Sequence, residues 1–127
     1  MSAERTIWLV RGTDKTVRVI VRNTDGSPFD LTDCVGYLTV KLRKEDTTNK
    51  VQKATNVSAA GAIVSAAGGT MEFYLLASDS AAWVPDSYVY DVQIVKTVTP
   101  AAPPLPAVTK RYSVVSMSRL EVQYDVG

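Results

Sequence analysis

Apolar and polar residues alternate with a period of two along most of this chain, the signature of strands that bury one face. From Thr16 to Arg22, Val17, Val19 and Val21 point one way and Thr16, Arg18 and Arg22 the other, with Ile20 as the exception. From Gly36 to Leu42, Leu38, Val40 and Leu42 are expected inward and Tyr37, Thr39 and Lys41 outward. Thr70 to Leu76 carries Met71, Phe73 and Leu75 on one face. Tyr88 to Lys96 is the longest such run, with Tyr88, Tyr90, Val92 and Ile94 in alternation. Thr6 to Val10, Thr109 to Val115 and Arg119 to Tyr124 complete the strong strands; Lys50 to Val57 and Ala62-Ile63-Val64 are weaker ones.

Between these runs lie turn formers. Arg11-Gly12-Thr13-Asp14 ends the first strand, and Thr24-Asp25-Gly26-Ser27-Pro28 follows the second. Gly permits positive φ and Pro fixes its own, so both segments read as tight connections. Arg43 to Asn49 is polar and reads as an exposed loop. Ser78-Asp79-Ser80-Ala81-Ala82-Trp83 suits a single helical turn, with Ser78 or Asp79 as its cap. Residues 98–108 carry Pro100, Pro103, Pro104 and Pro106. Proline donates no ladder hydrogen bond, so this segment is expected as an extended, exposed hairpin tip. The pattern predicts an all-β chain, an antiparallel sandwich of seven to nine strands, with a small closed barrel as the alternative.

Composition narrows the picture. At 127 residues, 46% hydrophobic and 21% charged, the chain suits one soluble domain spanning 1–127 with an adequate core. A net charge of +1 gives no overall pull toward nucleic acid or an anionic membrane. No apolar run is long enough for a spanning helix, and Met1-Ser2-Ala3-Glu4-Arg5 does not open a secretory signal. With Cys34 alone, no internal disulfide forms, which fits synthesis in a reducing cytoplasm.

Candidate chemistry is sparse. The chain has no His, which removes the commonest general base and the commonest metal ligand. No phosphate-cradling glycine motif occurs. Asp25, Asp30 and Asp33 cluster, and Asp79 and Asp86 flank a polar segment, but their spacing is not that of an EF-hand loop; turn chemistry is the expected role. Cys34 is expected as a small buried apolar residue, since no basic residue adjoins it in sequence. Trp83, Tyr88 and Tyr90 are expected in the core, leaving Trp8 as the candidate interface anchor. Lys41, Arg43, Lys44, Lys50 and Lys53 are expected as a solvated basic face. No catalytic, metal or cofactor-binding residue is assigned and no enzyme activity is expected.

Several segments in order resemble the immunoglobulin-like domain at the N-terminus of phage baseplate upper proteins and related tail proteins. They are Arg11-Gly12-Thr13-Asp14, Asp25-Gly26-Ser27-Pro28-Phe29-Asp30-Leu31-Thr32, Gly69-Thr70-Met71-Glu72-Phe73, Asp79-Ser80-Ala81 and Pro85-Asp86-Ser87-Tyr88-Val89-Tyr90-Asp91. The resemblance covers roughly residues 6–97, and more weakly 109–124. Two departures stand out: Asp86 occupies a place where that family carries Gly, and the Pro-rich tip replaces a compact turn. The resemblance implies an immunoglobulin-like sandwich in a virion structural protein made in the bacterial host cytoplasm. Its expected partners are other virion proteins and further copies of itself, with neither nucleic acid nor membrane. Contacts are expected at strand edges, the N-terminal segment, Trp8, and the tip residues Pro100, Pro103, Pro104, Leu105 and Pro106. A carbohydrate- or host-surface-binding module is the alternative, with a glycan held on exposed aromatics; a small hydrolase is the third.

Overall fold

The computed structural model describes residues 7–43, 49–81, 83, 87–98 and 108–123. Among them are eight strands and one helical turn: β1 (Ile7–Val10), β2 (Lys15–Ile20), β3 (Cys34–Lys41), β4 (Val51–Ala54), β5 (Gly61–Ser65), β6 (Thr70–Leu75), α1 (Ala77–Ser80), β7 (Ser87–Val98) and β8 (Val108–Gln123). They form a five-stranded sheet, β1-β8-β7-β3-β4, and a three-stranded sheet, β2-β6-β5. This is the all-β sandwich that the alternation predicts. Among the described residues two open sheets face each other, and no closed barrel is formed.

Two expectations are corrected. The sandwich is not wholly antiparallel, because β1 lies parallel to β8, Trp8 opposite Glu121. The first strand, β1, does not form a hairpin with its sequence neighbour across the Arg11–Asp14 turn. It lies instead along the last strand, while β2 crosses to the other sheet. The C-terminal region is one strand rather than two. Its pairing with β7 shifts between Tyr90 and Val92 and again between Val92 and Gln93, so β8 carries the extra residues. Bulges bend a strand and interrupt its alternation, which is why the sequence looks broken there. Ser118 sits at this irregularity, its hydroxyl buried without a hydrogen-bond partner.

The core follows the predicted rows. Met71, Phe73 and Leu75 from β6 meet Leu38 and Val40 from β3 and Val92 and Ile94 from β7, all essentially inaccessible to solvent. Each such side chain contributes about 1.5–3 kcal/mol on burial. The sheets approach closely at Gly36, where a Cβ would lie 2.5 Å from Met71 Sδ and 3.2 Å from Phe73 Cζ. Gly69 has φ +69°, and a Cβ there would strike the Val21 and Phe29 carbonyls. Glycine is therefore required for both packing and backbone at that corner.

The two ends of the sandwich are fixed differently. At one end, the Asp25–Thr32 connection folds on its own side chains. Asp25 Oδ1 accepts from Ser27 N–H (3.0 Å) and Oγ (2.6 Å), and Asp30 Oδ1 from Thr32 N–H (2.9 Å) and Oγ1 (2.6 Å). These bonds hold both carboxyls below the usual carboxylate range. At the other end, the Arg11–Asp14 turn grips α1. The Ala77 N–H donates to Asp14 Oδ1 (2.7 Å), and the Gly12 N–H donates to the buried Ser80 Oγ (3.0 Å). Arg11 reaches the Trp83 carbonyl (3.4 Å). The helical turn thus starts at Ala77, with Leu76 rather than Ser78 or Asp79 at the cap position. Asp79 serves from inside the turn, accepting the Leu76 N–H at 2.7 Å.

Candidate interaction surface

Trp8 stands on β1, the outermost strand of the five-stranded sheet. Its neighbours Ile7 and Leu9 point into the core, so strand alternation forces the indole outward, where it is 58% exposed. Beside it on β8 is Glu121, which accepts from Ser87 Oγ at 2.8 and 2.9 Å and from Arg119 Nε at 3.4 Å. A large aromatic therefore lies in the open next to a fixed polar group at a sheet edge. Such a ring can stack on a planar or apolar partner while the neighbouring groups fix its orientation.

The other predicted contact residues, Pro100, Pro103, Pro104, Leu105 and Pro106, lie outside the described residues. So do Met1 to Thr6, most of the polar loop after Arg43, and the Pro85-Asp86 turn. Pairing of β7 with β8 runs to Val98 opposite Val108, so residues 99–107 join the ends of a hairpin, as predicted. Trp8 aligns with Ser87, at the opposite end of the twelve-residue β7. At about 3.3 Å per residue, Trp8 lies close to 40 Å from the Val98–Val108 end of that hairpin.

The base of that hairpin meets the Asp25–Thr32 connection. Phe29 packs edge-on against Tyr112 with centroids 5.5 Å apart, and Lys96 Nζ lies 5.8 Å above the Phe29 ring. Thr97 N–H donates to the Asp33 carbonyl at 3.1 Å. Cys34 is buried here as expected, and burial pushes its thiol up. Lys96, directly across the strand pair, works against that shift. This basic neighbour is invisible in the local sequence because it comes from β7.

Other expectations resolve plainly. Trp83, Tyr88 and Tyr90 are buried, with Trp83 and Tyr88 stacked at 5.3 Å. The basic face does not hold together: Lys53 is buried and its ammonium lies 2.8 Å from Asp79 Oδ2, while Lys44 lies outside the described residues. Lys53 points inward because it is directly opposite the core residue Leu38. Among the described residues, no three His, Cys, Asp or Glu gather as a metal site. On the outer face of the large sheet, Asp91 pairs with Thr39, and burial raises its carboxyl while Lys41 opposes the rise.

No family model matches the chain, and no curated protein matches it.

Proposed function

We propose that this chain is a non-enzymatic structural subunit of a bacteriophage particle. In this reading it is a tail- or baseplate-type immunoglobulin-like module that connects, spaces or decorates through protein–protein contacts. The observation that carries the reading is the joining of two motif segments far apart in sequence. Arg11-Gly12-Thr13-Asp14 and Asp79-Ser80-Ala81 hydrogen-bond to one another through Gly12 and Ser80. In the fold these two turns form one coupled corner. Trp8, exposed at a sheet edge, supports contact with another protein as the mode of action.

The test is a protein inventory of purified particles, combined with the mass of the isolated chain in solution. The chain is expected among the particle proteins at a fixed stoichiometry. A chain that is monomeric and absent from every particle ends this reading.

The Trp8–Glu121–Ser87 grouping also favours a second reading, a glycan-binding module, because an exposed indole beside fixed polar groups suits a sugar face. Binding to an oligosaccharide array that disappears in Trp8→Ala, with no particle association, would select it.

A further inference from the structure

The sandwich has four sheet edges, belonging to β1, β4, β2 and β5. An open edge invites another strand, and proteins guard edges with charge, proline, bulges or inward-pointing ions. Three of the four carry such a guard. β2 bears Lys15 and Arg18 within six residues. β4 has Lys53 turned inward onto Asp79. β5 is broken by a bulge between Ile63 and Ser65. β1 has none: Ile7-Trp8-Leu9-Val10 contains no charge and no proline, and its register against β8 is unbroken. Among the described residues, no strand flanks β1 on the side away from β8. One of its carbonyls, that of Val10, is occupied by Thr13 N–H (3.2 Å) and Oγ1 (2.6 Å), so pairing is confined to the Ile7–Leu9 portion.

We infer that β1 is a homotypic docking edge, where a second copy of this chain adds its own β1 antiparallel about a two-fold axis. This specifies the partner for the structural role proposed above and rests on that reading. A copy is the occupant that the edge itself selects. Face alternation allows only registers that set Trp8 against an outward residue, and the two-fold register centred on Trp8 sets indole against indole. It sets Ile7 opposite Leu9 of the other copy, so both cores continue across the junction. Every paired position is then uncharged against uncharged, whereas β2 pairing with its own copy would carry the charged Lys15 and Arg18 into the junction. The result is one ten-stranded sheet with the two exposed indoles in cross-strand contact. An isologous contact of this kind closes as a dimer and does not propagate.

The contact is small, on the order of 1,000 Å² or less, and so belongs to the weak, reversible class. Sedimentation equilibrium from about 1 µM to about 1 mM should therefore show a shift from 13.8 kDa toward twice that mass. Trp8→Lys should remain at monomer mass throughout, with an unchanged far-UV spectrum because the indole is exposed. Lys15→Glu, on the β2 edge, should dimerise like the parent. A parent that stays monomeric at about 1 mM overturns the inference, as does a dimer indifferent to Trp8→Lys. The particle inventory separates this from the functional reading. Presence in particles without self-association defeats the docking edge alone, and self-association without particles defeats the virion role alone.

Discussion

Asp91 illustrates how a single residue's environment differs from its sequence context. It sits between Tyr90 and Val92 in an alternating strand and reads as one more outward polar group. In the fold it is flanked by Thr39 across the ladder and is partly withdrawn from water, which raises its carboxyl despite Lys41. A raised folded value means that ionisation disfavours the folded state. The penalty is absent below the unfolded value of about 3.9 and develops as pH rises through the folded one. Asp91→Asn is expected to raise the melting temperature at pH 7, with the gain vanishing by about pH 3 in thermal scans. Asp25 and Asp30 have the opposite sign. Their lowered values mean stabilisation that is complete above about 3.9 and lost as pH falls through the folded values. Their turn role was legible, because Asp-x-Ser and Asp-x-Thr spacing bonds within three residues. The environment of Asp91 was not, because it depends on neighbouring strands.

At the scale of elements, the decisive piece is α1. Four residues make no stable helix alone, since nucleation costs more than one turn returns. Its two leading N–H groups are taken by Asp79 and Asp14, and the Asp79 carboxylate also binds the Lys53 ammonium from β4. One carboxylate thus ties a turn to a strand of the large sheet. Asp79→Ala removes the cap and leaves Lys53 with a buried, uncompensated charge. It should cost about 3 kcal/mol in denaturant titration. Lys53→Met keeps the cap and fills the same space with an apolar chain, and should cost about 1 kcal/mol or less. Equal losses would mean that the ion pair, rather than the cap and the orphaned ammonium, sets the stability. The sequence marked this stretch as a helical turn through its small polar residues. It gave no sign that the capping carboxylate would come from Asp14, sixty-three residues away.

At the scale of the whole molecule, β7 and β8 form the spine of the large sheet, and among the described strands the first one pairs with β8 alone. Among the described residues the β7–β8 ladder runs to Val98 opposite Val108, and residues 99–107 connect these two positions. Replacing them with a two-residue Asn-Gly turn should leave unfolding cooperative and stability nearly unchanged, since loop length enters closure entropy only logarithmically. The same variant should be incorporated more weakly into particles if the tip is a second contact, independent of the Trp8 edge. Loss of the folded state would show instead that the segment belongs to the core.

Alternation by itself determined the inward rows and the all-β class, because period-two burial is a local property of extended chain. Turn chemistry at Asp25 and Asp30 was local in the same way. Only the tertiary structure decided that β1 runs parallel beside β8, that β8 passes unbroken through its bulges, and that Lys53 turns inward to meet Asp79. It also left β1 as the unguarded edge. Each of these depends on which strands become neighbours, and that choice is made by packing two sheets face to face, not by any residue's immediate sequence.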